Sequence, residues 1–432
     1  MSDVTKPQPW IEDDRCHVWH PYTQMLTAPP AVPIERALGV YLHTTSGRKI
    51  LDGISSWWVN IHGHSHPRLN QALTKQASRM SQVIFAGFTH EPGARLAAEL
   101  SRRSPGRLPR VFFSDDGSTA VEVALKLVYQ YWRNRGEPGR RLFVALDHSY
   151  HGDTFGAMAA GGVEVFHQNF RDLFFEVRRA RLPFRSGSGE DLGAILERDG
   201  RKVAGMIIEP MLQGAGGMIV WPAPFLRQVR ELCTQHGIPL IADEVLTGFG
   251  RTGRLFACEH GPIEPDLLCV SKALTAGYLP LAATLVTEEI YSSFLSEDRA
   301  KTFFHGHSYT GNALACAVAL ESLAIFDEER RMSRVQAIEA LFAERLKVLG
   351  TLPFVMETRN IGGVAAIELA VDSHQGYLSG LGPRLNALFL DRGILLRPLG
   401  NVLYFMPPYV ITDREVHWVF DEIESVLKTV FA

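Results

Sequence analysis

Cysteine is scarce in this chain. Its 432 residues include five, Cys16, Cys233, Cys258, Cys269 and Cys316. The number is odd, the spacings are wide and no Cys-x-x-Cys occurs, which argues against a disulfide framework or a cysteine-built zinc site. No metal site is expected. Long apolar runs are also missing: no stretch approaches the ~18 uninterrupted apolar residues of a membrane span. The opening residues, MSDVTKPQPWIEDD, carry no apolar segment and do not read as a signal peptide. An excess of one charge is lacking too. The formal net charge of −3 leaves no basic field for nucleic acid or an acidic membrane surface. No internal repeat or low-complexity tract is visible. The absences point to a cytoplasmic protein without nucleic-acid or membrane partners.

What is present is ordinary for a globular protein: 46% hydrophobic and 21% charged residues. Length alone suggests about three domains. Short apolar runs at 111–114, 141–146, 203–208, 240–242, 267–270 and 282–286 are bounded by Gly, Pro, Asp or Ser. Such runs suit strands buried on both faces of a mostly parallel sheet. Helical patterns lie between them. Residues 119–135 carry an apolar stripe at Val121, Ala124, Leu125, Val128 and Trp132. Residues 225–236 stop before Gly237, a suitable C′ glycine. This alternation predicts an α/β fold with helices covering the sheet. The tail differs, with a charged helix over 328–349, strands at 364–369 and 402–406, and a last helix from about 413 to 430. With the front of the chain, which has a strand-like piece at 40–43, it predicts a smaller α+β lobe. The expected division is a large domain over 60–326 and a lobe assembled from 1–59 and 327–432.

Two motifs invite other readings. Gly248-Phe-Gly250-Arg-Thr-Gly253 matches G-x-G-x-x-G, and Asp266 lies at a suitable distance for a ribose contact. A dinucleotide oxidoreductase would follow. The fingerprint needs a helix opening at its third glycine, yet only residues 254–260 intervene before Gly261-Pro262. His62-Gly-His64-Ser-His66 puts three histidines in phase, but Gly63 and Pro67 favour a turn with hydrogen-bonded or solvated rings.

More informative are three successive apolar strands that each end in a polar group: Ile207-Ile-Glu-Pro210, Pro239-Leu-Ile-Ala-Asp243 and Asp266-Leu-Leu-Cys-Val-Ser-Lys272. Ligands bind at that edge of an open α/β sheet. Asp243 and Lys272 would then face one crevice. A carboxylate can pair with a protonated pyridine nitrogen, and a lysine amine can form a Schiff base, the minimal kit for pyridoxal phosphate. Asp115-Asp-Gly117-Ser118 follows a strand and opens a helix, so its backbone N–H groups could cradle a phosphate. The same residues also read as a plain Ser118 cap with Glu122 a turn later. Asp115 and Asp116 would repel a phosphate unless their side chains point away.

The run from Leu240 to Ala283, LIADEVLTGFGRTGRLFACEHGPIEPDLLCVSKALTAGYLPLAA, resembles the signature of class III, fold-type I, pyridoxal-phosphate aminotransferases. His17-Val-Trp-His-Pro-Tyr22, Asp52-Gly-Ile-Ser-Ser-Trp57-Trp58, Ser149-Tyr150-His-Gly-Asp153 and Leu396-Arg397-Pro are similar to the subgroup that aminates 8-amino-7-oxononanoate to 7,8-diaminononanoate in biotin synthesis. The likeness extends from about Cys16 to about Tyr409. It implies a homodimer that uses S-adenosylmethionine as amino donor, by a ping-pong course. It also implies roles. Lys272 would hold the cofactor and move the proton, and Asp243 would keep the pyridine nitrogen protonated. Gly117, Ser118, His307 and Ser308 would serve the cofactor, Ser308 reaching the phosphate from the partner subunit. Tyr150 would stack near the ring. Tyr22, Trp57 and Gly306 would line the substrate pocket, and Arg397 would take the substrate carboxylate. His307-Ser308 stands where the family more often has Pro-Thr, which leaves Thr310 as an alternative phosphate ligand. Asp116 stands where serine is more usual. If Trp57 and Trp58 lie on a strand, only one of them faces ligand. The other reading within the family is an ω-amino acid or polyamine aminotransferase.

Overall fold

The computed structural model describes residues 8–370 and 376–431. Residues 1–7, read above for a targeting segment, lie outside the described residues. Among the described residues no helix is long and apolar enough to cross a membrane.

All six strands expected for the central sheet form, within one residue at either end, and a seventh joins them. We label them β1 (Arg110–Ser114), β2 (Leu142–Leu146), β3 (Val177–Ala180), β4 (Val203–Ile208), β5 (Leu240–Asp243), β6 (Leu267–Val270) and β7 (Ala282–Val286). Their order is β1-β7-β6-β5-β4-β2-β3. Only β7 runs antiparallel to its neighbours. β2 and β4 to β7 are buried along their whole length, as continuous apolar runs covered on both faces require. β4, β5 and β6 lie side by side and parallel, so their C-terminal ends open on one edge.

Helix α1 (Gly117–Asn134) and helix α2 (Ala223–Gln235) pack their apolar faces on the sheet. α1 begins earlier than its periodicity suggests. Its cap is Asp116, not Ser118. The Asp116 carboxylate accepts the Thr119 N–H at 3.0 Å, and the Thr119 hydroxyl answers at the Asp116 backbone. The Asp116 side chain, two residues before Ser118, reaches the free N–H groups of the first turn.

Residues 328–349 do not form one helix. The chain breaks at Arg330, whose φ is +50°, between helices Ala313–Glu328 and Arg331–Leu349. The charge pattern hides this stop because no glycine or proline marks it. Near the front, strand Lys49–Asp52 pairs with its hairpin neighbour Tyr41–Thr44 and, in parallel, with Ile394–Leu395. The two ends of the chain therefore share a sheet.

The two distracting motifs resolve into structure. After Gly253 the chain turns into a short 3₁₀ segment, Ala257–His260, and no crossover helix opens. Gly250 sits at φ +92° with a Phe326 ring carbon 2.9 Å from where a Cβ would stand, so the glycine serves packing. The three histidines disperse to Ser322, Asp52 and Glu329.

Candidate active site

A cavity of about 500 Å³ opens at the C-terminal ends of β4, β5 and β6. Its floor carries Glu209, Asp243 and Lys272, one from each strand end. Asp243 is 4% exposed. One carboxylate oxygen accepts from His151 Nδ1 at 2.7 Å, and the other accepts the Val245 N–H at 3.1 Å. These two contacts fix its orientation. Lys272 follows Ser271, whose hydroxyl donates to the Leu281 carbonyl at 2.8 Å. The Lys272 backbone has φ +44°, a left-handed conformation that a non-glycine residue adopts only when its surroundings impose it. Its Nζ lies 4.7 Å from the centre of the Trp58 ring. Burial pulls the amine down to about 8, with Asp243 and Glu209 opposing that shift. An amine so placed is a nucleophile and proton carrier near neutral pH.

The opposite end of the cavity is the start of α1. Residues 115–118 line it. Gly117 is held against the loop after Asp243, and an added Cβ would meet Val245 Cγ1 at 2.5 Å. Ser118 Oγ accepts the Asp153 N–H at 3.2 Å. Gly152, at φ +125°, leaves room for that hydroxyl, since a Cβ there would stand 2.1 Å from it. An 18-residue helix ending on a hydroxyl and close-packed glycines is suited to a phosphate. Asp116 is turned onto Thr119.

Aromatic side chains form the wall. Trp57 and Trp58 are not on a strand. Residues 55–58 form a tight turn in which Ser55, Ser56 and Trp58 have positive φ. Both tryptophans line the cavity, and the alternation expected of a strand does not apply to them. Trp58 is buried, and its Nε1 donates to the Tyr404 hydroxyl at 3.0 Å. Trp57 is 43% exposed and carries the Arg397 guanidinium 4.8 Å above its ring centre. The Tyr150 hydroxyl lies 3.1 Å from that of Tyr22, which donates to Asp153 at 2.6 Å. Tyr22 also packs against Trp57 and Phe166. Burial pushes the Tyr150 phenol well above its usual range, so it stays protonated.

Tyr22, Trp57, Tyr150 and Arg397 thus gather beside the floor, although Tyr22 and Arg397 stand outside the central cavity itself. The 305–310 segment does not join them within one chain. Gly306 and Ser308 are exposed and do not line the cavity. The Thr310 hydroxyl accepts the His307 N–H at 2.9 Å, so it is engaged inside its own loop. His307 Nδ1 lies 3.6 Å from Asp115, next to the α1 start.

Sequence reasoning assigned no role to Glu209 or His151. Glu209 stood in view at a strand end, where a carboxylate before proline is a signal. His151 stood beside Tyr150 but carried no spacing clue. Its Nε2 is buried without a hydrogen-bond partner among the described residues, so one polar atom of the donor set is still free beside the Asp243 carboxylate. A held carboxylate, a buried amine, aromatic walls and an anion cradle fit pyridoxal phosphate.

The model of the family described as aminotransferase class-III matches residues 23–427. The chain is 45% identical to adenosylmethionine-8-amino-7-oxononanoate aminotransferase of Synechococcus elongatus, over 95% of this chain and 98% of that one. It is 43% identical to the enzyme of the same name from Geobacter sulfurreducens, over 96% and 97%. A crystal structure of the Methanocaldococcus jannaschii enzyme of that name superposes with a TM-score of 0.93 at 38% identity, over 98% and 99% of the two chains.

Proposed function

The chain belongs to the class III aminotransferase family, and from that premise we propose that it aminates 8-amino-7-oxononanoate to 7,8-diaminononanoate in biotin synthesis, with S-adenosylmethionine as donor. The observation that carries the reading is the joint placement of Lys272 and Asp243 at adjacent strand ends beside the Tyr22–Trp57–Tyr150 wall, with Arg397 stacked on Trp57. Near-full-length identity to enzymes of that name supports it.

When bound, pyridoxal 5′-phosphate supplies an aldehyde that takes up an amino group and a ring that withdraws electrons from the carbon being deprotonated. The chain's residues do the rest. Gly117 and Ser118 would bind the phosphate at the start of α1. Asp243, which His151 Nδ1 keeps aimed, would keep a proton on the ring nitrogen. Lys272 Nζ would hold the cofactor and serve as the group that carries the proton. Trp58 and Tyr150 exclude water from the reacting atoms. The two substrates use the site in turn, in ping-pong order. The acceptor is an apolar chain with a carboxylate at one end and an amino-ketone at the other. Trp57 and Tyr22 suit the chain, and Arg397 suits the carboxylate through bidentate hydrogen bonds.

We read the active unit as a homodimer. Ile84, Phe88, Phe304 and Tyr309 are large apolar side chains, each more than 60% exposed, beside or near the loop that bears Gly306 and Ser308. A second copy would cover them and bring that loop, with His307, to the neighbouring cavity, Ser308 reaching the phosphate there. We also read the chain as two lobes, 60–326 and the joined ends. All five cysteines are free, as suits the reducing cytoplasm.

Borohydride should fix the cofactor covalently on Lys272. In single half-reactions, S-adenosylmethionine should bleach the visible chromophore and the keto substrate should restore it. Bleaching by lysine but not S-adenosylmethionine overturns the donor. Failure of 8-amino-7-oxononanoate to restore the colour overturns the acceptor.

A further inference from the structure

His307 is the one predicted cofactor residue that the proposed chemistry leaves without a task. It stands on the 305–310 loop, where the family more often has proline. Its ring and that of His305 meet at their Nε2 atoms, 3.2 Å apart. His305 Nδ1 lies 2.8 Å from the Lys126 amine on α1, and His307 Nδ1 lies 3.6 Å from the Asp115 carboxylate. Phe303 stacks on the His305 ring with centres 5.5 Å apart, and Phe112 packs against both. The four polar side chains form a line along α1, from Lys126 back to the helix start.

Donor and acceptor rules fix the protons of that line. A lysine ammonium only donates, so His305 Nδ1 offers its lone pair. The neutral His305 ring then carries its proton on Nε2. That N–H points at His307 Nε2, which accepts, so the His307 proton sits on Nδ1 and faces the carboxylate. One arrangement satisfies every contact, and it needs both rings neutral. A proton added to His305 sets an N–H against the Lys126 ammonium. A proton added to His307 sets two N–H groups face to face.

We propose that His305 and His307 are positioning residues of the cofactor site: with Lys126 and Asp115 they form a line of fixed proton placement that holds the 305–310 loop in the shape that carries Ser308 to the phosphate. The line lies within one chain, so the loop is shaped before its serine meets the neighbouring cavity. A proline in place of His307 would offer no imidazole, and no N–H for the Thr310 hydroxyl that His307 reaches at 2.9 Å. The charged groups facing the rings are Lys126 and Glu122 from α1 and Asp115 at its start. Burial, then Lys126 and His307, hold the His305 ring below the ordinary imidazole range, with Glu122 opposing. The support of the loop is therefore present near pH 8 and is lost as pH falls below the ordinary imidazole value of about 6.5.

The proposal rests on the reading that Ser308 serves the phosphate, and two readouts separate the two. Backbone amide exchange across 303–312 is followed by mass spectrometry in the full-length chain. Pyridoxal 5′-phosphate affinity is titrated on the same protein freed of cofactor, near pH 8 and near pH 5. At the higher pH, His305→Leu should speed exchange of the loop and weaken the cofactor about 10-fold, since both polar contacts of the ring are lost. Unchanged exchange overturns the proposal. His305→Gln can accept from Lys126 and donate to His307, and it has no proton to gain. It should keep wild-type affinity near pH 8 and lose less than the wild type near pH 5, the cofactor's own titration being common to both. Weakening equal to that of His305→Leu, or an equal loss in acid, overturns the fixed proton line. Lys126 is exposed, so Lys126→Met decides where the loop variants do not fold. It should speed loop exchange and move the acid loss to higher pH, because the cation opposing His305 is gone. Absence of both changes overturns the proposal. Faster exchange in His305→Leu with unchanged cofactor affinity would instead strike the assignment of Ser308 to the phosphate and leave the line standing.

Discussion

The floor of the cavity comes from three neighbouring strand ends, whereas its rim comes from both ends of the chain and from a loop that one chain leaves exposed. Glu209, Asp243 and Lys272 are set by β4, β5 and β6, whose parallel pairing fixes their spacing. Tyr22, Trp57 and Arg397 meet through ring contacts at 4.8–5.6 Å, with few hydrogen bonds to hold them. A rigid floor suits bond making, where small displacements cost rate. A looser aromatic rim suits a substrate that must enter and leave. Substitutions of Asp243 and Lys272 should therefore lower kcat, and rim substitutions should raise KM.

The sharpest break is Lys272→Ala. It removes both the attachment point and the proton carrier, so turnover should fall about 10⁴-fold or more, and borohydride should fix nothing. Activity near wild type would erase the distinction between floor and rim. Asp243→Asn keeps the shape, but its single amide oxygen can accept from His151 or from Val245 and not from both, and the charge that holds the ring proton is lost. A fall in kcat of about 10²-fold or more is expected, with KM little changed.

The floor was legible in the sequence because strand and terminal residue are contiguous there. An apolar run ending in Asp243 or in Ser271-Lys272 announces both the element and its exit point. Glu209 was equally visible, but nothing local shows that it accepts the Tyr150 and Gly214 N–H groups. The rim was legible only through resemblance. Nothing local predicts that Tyr22 reaches Asp153, or that Arg397 stacks on Trp57. The tight turn at 55–58 was missed because Ser-Ser-Trp-Trp carries no glycine to mark its positive φ values. The cap at Asp116 was missed because two adjacent aspartates and a serine all qualify, and only geometry chooses.

Arg397→Ala tests the rim. Loss of a charge-assisted, bidentate contact should raise KM for the keto acid about 10- to 100-fold. The donor half-reaction should change far less. Equal losses in both half-reactions would mean that Arg397 supports the wall through Trp57 instead of receiving a carboxylate.

Ser308→Ala should weaken cofactor binding about 10-fold, one hydrogen bond to a charged phosphate. Whether the contact crosses subunits is read from hybrids. In a dimer of Ser308→Ala with Lys272→Ala, the subunit that keeps Lys272 meets an intact Ser308 from its partner. Its cofactor affinity should be that of the wild type. A weakened site in the hybrid would place Ser308 in its own cavity and undo the shared-site reading.

The smallest effect concerns Asp116, which serves α1 and faces the anion cradle at once. Serine caps a helix about as well as aspartate, so Asp116→Ser should leave the melting temperature within about 1 °C, since a cap lost outright would cost only ~1 kcal/mol. The carboxylate is exposed, so its repulsion of a phosphate is weak and screened by salt. Cofactor affinity should rise a few-fold at low ionic strength, and the gain should vanish in ~1 M salt, where the Debye length is about 3 Å. A gain that survives high salt would mean that the serine hydroxyl itself binds the phosphate.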